Sequence, residues 1–430
     1  MSLLEKFMDC GCKVTTDSRK VQGGEIFFAL SGENFDGNRY AALALESGAA
    51  WAVVSASADL PENERFIRVE DPLAELQNLA ADYRRSLSIP VIGLTGTNGK
   101  TTTKELIRTV LSAKFKVAAT QGNFNNDIGV PLTLLSIPAD AQIAVVEMGA
   151  NHPDDIARLV KISQPDYGLI TNVGRAHLQG FGSFEGVKAA KGELYKWLAG
   201  RPGSVIFLNA DDDDLCGMSH GYPCHFWSYG IRYQKAEILP SSVAQPFLRL
   251  VLDGDTVCSN LVGAYNATNV LAALAVGEYF GVPCSAAIEA IASYVPSNGR
   301  SQMFKSGTNF LIADAYNANP SSMSAALDNF KNVEARSKLA LLGDMRELGT
   351  DSFDEHLKIV LRLAGEGIDA MLVGEEFSRA AEGFPFLCFA TSEELAVYLR
   401  DNPIQDTTVL VKGSRGTAME KVFDVLKPDF

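Results

Sequence analysis

The ten residues 93–102, GLTGTNGKTT, restrict what this chain can fold into more than any other stretch. Val91, Ile92 and Leu94 read as the end of a short buried strand. Gly96, Thr97, Asn98 and Gly99 form a turn with free backbone N–H groups. Lys100 and Thr101 open a helix whose apolar stripe is Leu106, Ile107, Val110 and Leu111. Such a junction suits a triphosphate: glycines let the backbone approach phosphate oxygens, and the helix N-terminus adds partial positive charge. Lys100 can reach the β- and γ-phosphates, and the Thr101 hydroxyl can hold Mg²⁺. The spacing departs from G-x-x-x-x-G-K-[ST], because Leu94 stands where the first glycine belongs. A strand–turn–helix junction without ligand is the competing reading. ATP binding is the expectation.

At 430 residues the chain has room for two to four domains, and 47% apolar with 21% charged residues is a globular composition. A net charge of −14 argues against a nucleic-acid partner, although loops of an acidic protein can still be locally basic. The first residues, MSLLEKFMDC, lack the pattern of a signal peptide, and no apolar run is long enough to span a membrane. Seven scattered cysteines read as free thiols, so a reducing cytoplasm is expected.

The pattern predicts an α/β protein of three domains: 1–85, small and α/β; 86–297, a central parallel sheet carrying the phosphate loop; and 298–430, doubly wound and Rossmann-like. In the first, Glu25 to Leu30 and Trp51 to Ser55 read as strands. The polar stretches Thr16–Arg19 and Ser31–Gly37 look too elaborate for plain hairpins, though turn chemistry alone could account for them. In the second, strands at 143–147, 167–172 and 205–208 alternate with helices, which puts Glu147, Asn172 and Asn209 at carboxyl ends, where ligands gather. Residues 232–260 look β-rich. In the third, strands at 309–313, 338–342, 370–373, 387–389 and 408–411 alternate with helices. No G-x-G-x-x-G follows the first of them, which excludes a dinucleotide fingerprint.

Glu147, a carboxylate at a strand end beside a phosphate loop, suits a Mg²⁺ ligand, though a solvated strand end would look the same. His177 could be a ligand or a structural imidazole. Lys191 reads as an ordinary helical lysine. Cys216, His220, Cys224 and His225 do not match zinc spacing, and Asp211–Asp214 reads as a solvated turn.

The chain nonetheless resembles the Mur ligases, ATP-dependent enzymes that extend the peptide stem of peptidoglycan precursors. The resemblance runs through GTNGKTT, TQGNFNNDIGVPLTLL (120–135), EMGANHPDDI (147–156), TNVGRAHLQGFGS (171–183), AAKGELY (189–195), YNATN (265–269), Gly299-Arg300, DAYNANPSSM (314–323), LGDMRELG (342–349) and KGSRG (412–416). Within the family, GNFNNDIGVP, YNANP and LGDMRELG point to members that join D-alanyl-D-alanine to a UDP-N-acetylmuramoyl tripeptide. The sister branch adding the third residue carries D-N-P-R, whereas this chain has Ala318-Asn319-Pro320-Ser321.

The resemblance implies ATP held by Gly96, Thr97, Asn98, Gly99, Lys100, Thr101 and Thr102, with Asn269, Arg300 and Asp314 completing the nucleotide site. It implies one Mg²⁺ on Thr101 and Glu147, and a second helped by His177 and a carbamylated Lys191. Lys100, Glu147, His177 and Lys191 would be the catalytic set. Asp17, Ser18, Arg19 and Ser31 would lie near the UDP-sugar, and Asn123, Asn126 and Asp127 would face the peptide. Arg346, Lys412 and Arg415 would serve the incoming dipeptide or closure. A monomeric cytoplasmic ligase of the cell wall, tied to cell shape and division, is implied. Its rivals are folylpolyglutamate synthase, which lacks the first domain, and a nucleotide switch, which does not need Glu147, His177 and Lys191 together.

Overall fold

The computed structural model describes residues 1–242, 244–296 and 300–426. The boundary expected at 297/298, and Gly299, lie outside them. The architecture is α/β, with three main sheets following one another along the chain. The first is four-stranded and parallel, in the order Val14–Thr15, Ile26–Phe28, Trp51–Ser55, Phe66–Val69.

The central sheet has six strands, all parallel: His225–Tyr229, Val205–Asn209, Tyr167–Ile170, Val91–Thr95, Ile143–Glu147, Val117–Ala119. Its inner strands are largely apolar up to their carboxyl ends because helices cover both faces. On one face Ile92, Leu94, Val145, Leu169 and Phe207 pack against the phosphate-loop helix Lys100–Ser112 and the helix Ala267–Tyr279. On the other, Val91, Val146, Ile170 and Ile206 meet the helices Gly129–Leu135, Asp155–Ser163 and Phe184–Ala199. The alanine-rich composition of Ala267–Tyr279 follows from its packing: a Cβ on Gly277 would lie 2.5 Å from Val110 Cγ1, so only small residues allow the helices this close. Strand order reverses around Val91–Thr95, which puts the phosphate loop at the switch point where such sheets bind ligands.

A three-stranded antiparallel addition, Glu237–Ile238, Phe247–Leu252 and Asp255–Val262, occupies the stretch expected to be β-rich. The last sheet runs Gln302–Ser306, Asn309–Asp314, Thr408–Lys412, Lys338–Gly343, Ala370–Val373, Leu387–Phe389; its first pair is antiparallel and the rest parallel.

Two readings are corrected. Ser31–Gly32 and Phe35–Asp36 do form a hairpin. It is tightened by Asp36, whose Oδ1 accepts from Ser31 Oγ at 3.0 Å and from Asn38 Nδ2 at 2.8 Å. Asp211–Asp214 is more than a solvated turn, since Asp212 caps the helix Asp213–Ser219 by accepting from Leu215 N at 3.0 Å. Among the described residues no three His, Cys, Asp or Glu converge as a group that could hold a metal ion. No described helix is long and apolar enough to cross a membrane.

Candidate active site

At the carboxyl ends of the central strands lies a cleft of about 560 Å³, walled on its other side by the last sheet. Its floor is the phosphate loop, whose shape is dictated by two glycines. Gly96 has φ +149° and a Cβ there would sit 1.9 Å from Thr171 Oγ1; Gly99 has φ +76° and its Cβ would sit 2.8 Å from Asn269 Oδ1. Both positions exclude a side chain. The turn is tied to the neighbouring strand end: Thr97 N donates to Asn172 O at 3.0 Å, Asn98 N to Asn172 Oδ1 at 2.9 Å, and Thr171 Oγ1 to Asn98 O at 2.7 Å. Lys100 Nζ donates to the carbonyls of Gly96 at 2.8 Å and Thr97 at 3.1 Å, so its charge is held over the turn. Burial lowers its pKa; Glu147 nearby opposes this, and the Arg300 charge adds to it.

Glu147 ends its strand and is 1% exposed. Its Oε1 accepts from Thr101 Oγ1 at 3.2 Å and from Asn125 Nδ2 at 2.9 Å, while Oε2 is buried with no hydrogen-bond partner. A buried carboxylate oxygen left unpaired is costly. Together with the Thr101 hydroxyl it forms a set of hard oxygen donors. These residues fit Mg²⁺, which takes one or two carboxylates and completes its shell with water and phosphate. In the sequence Asn125 stands out only as part of the motif TQGNFNNDIGVPLTLL; its role in aiming Glu147 emerges from a contact 22 residues away in the chain.

His177 stands in the left-handed region, φ +52°, at the start of the short helix Leu178–Phe181. Its Nδ1 meets Glu347 Oε2 from the last unit. Burial lowers its pKa, Glu347 opposes, and the charges of Lys100 and Lys191 lower it further. Lys191 is 2% exposed and is not among the residues lining the cleft; its Nζ lies 5.7 Å from the Phe181 ring centroid. Among the described residues its amine has no hydrogen-bond or ion-pair partner. Burial first, and then the Lys100 charge, push it down to about 7 against the opposing Asp155. The ordinary surface lysine read from composition is therefore a buried, readily deprotonated amine.

The facing wall comes from the last unit. Asn319 caps the helix Pro320–Asn332 and its Nδ2 donates to Asn98 Oδ1 at 2.8 Å, a direct tie to the phosphate loop. Arg300 lies 3.6 Å above the Tyr316 ring centroid, with Arg415 6.0 Å away on the same ring. Arg346 is exposed and donates to Gly416 O at 3.2 Å. Lys412 is 1% exposed and pairs with Asp314 Oδ2 at 2.6 Å. All five charged residues line the cleft, as do Thr97 to Thr102, Asn123, Glu147, His177 and Asn269. Asn269 is committed at both ends of its amide, accepting from Thr103 Oγ1 at 3.0 Å and donating to Asn266 Oδ1 at 2.9 Å.

The remaining sequence candidates lie apart. Asn126 caps the helix start, its Oδ1 accepting from Gly129 N at 2.8 Å, and the Asp127 carbonyl accepts from Gln77 Nε2 at 3.0 Å. Ser31 lines a second cleft of about 780 Å³ in the first unit, with Asp36, Arg39 and Asp71. Ser18 and Arg19 lie in a 3-10 turn capped by Asp17. Arg19 pairs with that carboxylate at 2.9 Å, and none of the three lines either cleft. Lys104, which no sequence signal singled out, is fully buried and donates to Thr120 O at 2.6 Å; it fixes the segment leading to Asn125.

Three family descriptions match the chain in order: Mur ligase family, catalytic domain, over residues 13–84; Mur ligase middle domain over 94–277; and Mur ligase, glutamate ligase domain, over 299–415. The UDP-N-acetylmuramoyl-tripeptide–D-alanyl-D-alanine ligase of Bacillus subtilis is 34% identical over 424 residues, spanning 95% of this chain and 92% of the relative. The crystal structure of MurF from Acinetobacter baumannii superposes with TM-score 0.85 at 31% identity, covering 96% of this chain and 93% of that one. MurF ligase from Thermotoga maritima in complex with ADP superposes with TM-score 0.85 at 27% identity, covering 99% and 98%.

Proposed function

The chain belongs to the Mur ligase family, and from that premise we propose that it joins D-alanyl-D-alanine to a UDP-N-acetylmuramoyl tripeptide, driven by ATP, in peptidoglycan precursor synthesis. One observation carries the reading: an anion-binding loop and a wall bearing Arg300, Arg346 and Arg415 face each other across one cleft. Amide ligation through a phosphorylated acid must bring a carboxylate against a polyphosphate. That repulsion is relieved only where cations converge.

The tripeptide's terminal carboxylate attacks the γ-phosphorus, giving an acyl phosphate and ADP. The dipeptide amine then adds to the acyl carbon, and phosphate leaves from the tetrahedral intermediate. Gly96 to Thr102 cradle the phosphates, and Lys100 screens charge between them. Asn269, Arg300 and Asp314 complete the nucleotide site. Thr101 and Glu147 would hold one Mg²⁺, and His177 with Lys191 a second; bound there, the cations would neutralise phosphate charge. A lysine with a lowered pKa supports carbamylation, since only the free amine adds to CO₂ with loss of a proton; this would turn Lys191 into an anionic oxygen donor. Ser31, in the second cleft, receives the UDP-sugar, and Asp17, Ser18 and Arg19 are assigned to the same ligand on the motif resemblance alone. Asn123, Asn126 and Asp127 face the peptide. Arg346, Lys412 and Arg415 receive the dipeptide carboxylate or act in closure.

In this reading units 1–85, 86–297 and 298–430 work as one monomer in the cytoplasm. The Mur match over residues 13–84 favours this over folylpolyglutamate synthase, which lacks that unit. The test is phosphate release from ATP by the purified chain. Release that requires both tripeptide and D-alanyl-D-alanine supports the proposal; equally fast release without either refutes it.

A further inference from the structure

We propose that Glu347 is a positioning residue for His177, so that the last unit completes the cation site of the central one. The inference rests on the reading of His177 as a ligand of a divalent cation. Glu347 meets the His177 loop at two points: its Oε2 pairs with His177 Nδ1, and its carbonyl accepts from Gln179 N at 3.4 Å. A carboxylate on Nδ1 selects the tautomer with the proton there, turns the ring, and leaves Nε2 as the free lone pair.

Glu347 is presented for this contact by its loop. Its φ is +65°, a conformation few non-glycine residues adopt. The two residues ahead of Arg346 are anchored. The Asp344 carboxylate accepts from Glu376 N at 3.1 Å and Phe377 N at 2.9 Å. Met345 N donates to Nε2 of the fully buried His356, whose Nδ1 in turn donates to Ser352 O at 2.7 Å. The loop therefore enters the cleft from a rigid base. On the other side, Arg175 N donates to Ser321 Oγ at 3.2 Å, a second contact between the His177 loop and the last unit. Cation affinity and docking of the last unit are in this way coupled, because the carboxylate that orients the imidazole arrives only with that unit.

The test measures Mn²⁺ binding by electron paramagnetic resonance to the full chain with ADP, in the wild type and in Glu347→Ala, Glu347→Gln and His177→Ala. Glu347 is 58% exposed, so its replacement removes no core packing. The expected result is about tenfold weaker Mn²⁺ binding in Glu347→Ala, less loss in Glu347→Gln, whose amide oxygen still accepts from Nδ1–H, and unchanged metal-free ADP affinity. In ¹⁵N spectra, His177 should show a single Nδ1–H tautomer that becomes a mixture in Glu347→Ala. Wild-type Mn²⁺ affinity in Glu347→Ala, with clear loss in His177→Ala, overturns the positioning role alone. Wild-type affinity in His177→Ala overturns the ligand reading and the inference with it.

Discussion

Replacing Glu147 by Gln should stabilise the metal-free protein and weaken the loaded one. Glu147 is 1% exposed, with Oε1 taking two hydrogen bonds and Oε2 none. A buried unsatisfied polar group costs about 1–3 kcal/mol, and more when charged. Gln keeps the Oε1 acceptor and exchanges a charged orphan for a neutral one. With the Lys100 charge nearby already offsetting part of the cost, the expected gain is about 1 kcal/mol, or roughly 2–4 °C for a unit of this size. With magnesium and a non-hydrolysable ATP analogue at a hundred times the wild-type Kd, the wild type gains about 2.7 kcal/mol. If Gln weakens binding a hundredfold, the same ligand adds only about 0.4 kcal/mol to the variant. The order therefore inverts: the variant leads by about 1 kcal/mol without ligand and trails by about 1.3 kcal/mol with it. Calorimetric melts under the two conditions read this directly. A variant that melts below the wild type without metal would show that the carboxylate serves the fold, and would refute the reasoning.

Gly96→Ala should weaken ATP binding at least tenfold in calorimetric titration, because its Cβ would enter Thr171 Oγ1; wild-type affinity would mean that the loop rearranges freely. Lys191→Ala should lose turnover and regain part of it with a short-chain carboxylic acid, and ¹³C-bicarbonate should give a carbamate resonance in the wild type alone. For Glu105, burial raises the pKa, but pairing with Lys104 and Arg108 outweighs it and the net shift is downward. Its contribution is therefore full above the ordinary value near 4.5 and is lost as pH falls through the lower folded value. In denaturant titrations the wild type should exceed Glu105→Gln at neutral pH, and the gap should close on acidification; a gap that persists at the acid end would contradict this.

Much of the fold was legible because its cues are local. Trp51–Ser55, Ile143–Glu147, Ala370–Val373 and Leu387–Phe389 coincide with runs that read as strands. The strands that escaped, Phe66–Val69, Val117–Ala119, His225–Tyr229 and Gln302–Ser306, all lie at sheet edges. There one side is unpaired and burial is partial, so the long apolar run that marks an inner strand is missing, and the edge strand Leu387–Phe389 is legible only from three consecutive apolar residues. Lys104 escaped for a different reason: a charged residue on a helix reads as solvent-facing unless its partners are known, and besides the neighbouring Glu105 these are carbonyls beyond the end of that helix.

The strand, the glycine turn and the helix of 91–112 were determined by sequence alone, since each rests on conformational preferences acting within a few residues. So was the expectation that Lys100 and Thr101 meet phosphate. Tertiary structure alone decided what those residues face. Asn125 aims Glu147, Asn319 reaches Asn98 across 221 residues, and Glu347 meets His177. None of these pairs has a local signature, because a hydrogen bond between distant segments depends on how sheets stack and where loops end. Burial did the rest, turning Lys191 from a surface cation into an amine poised near neutrality.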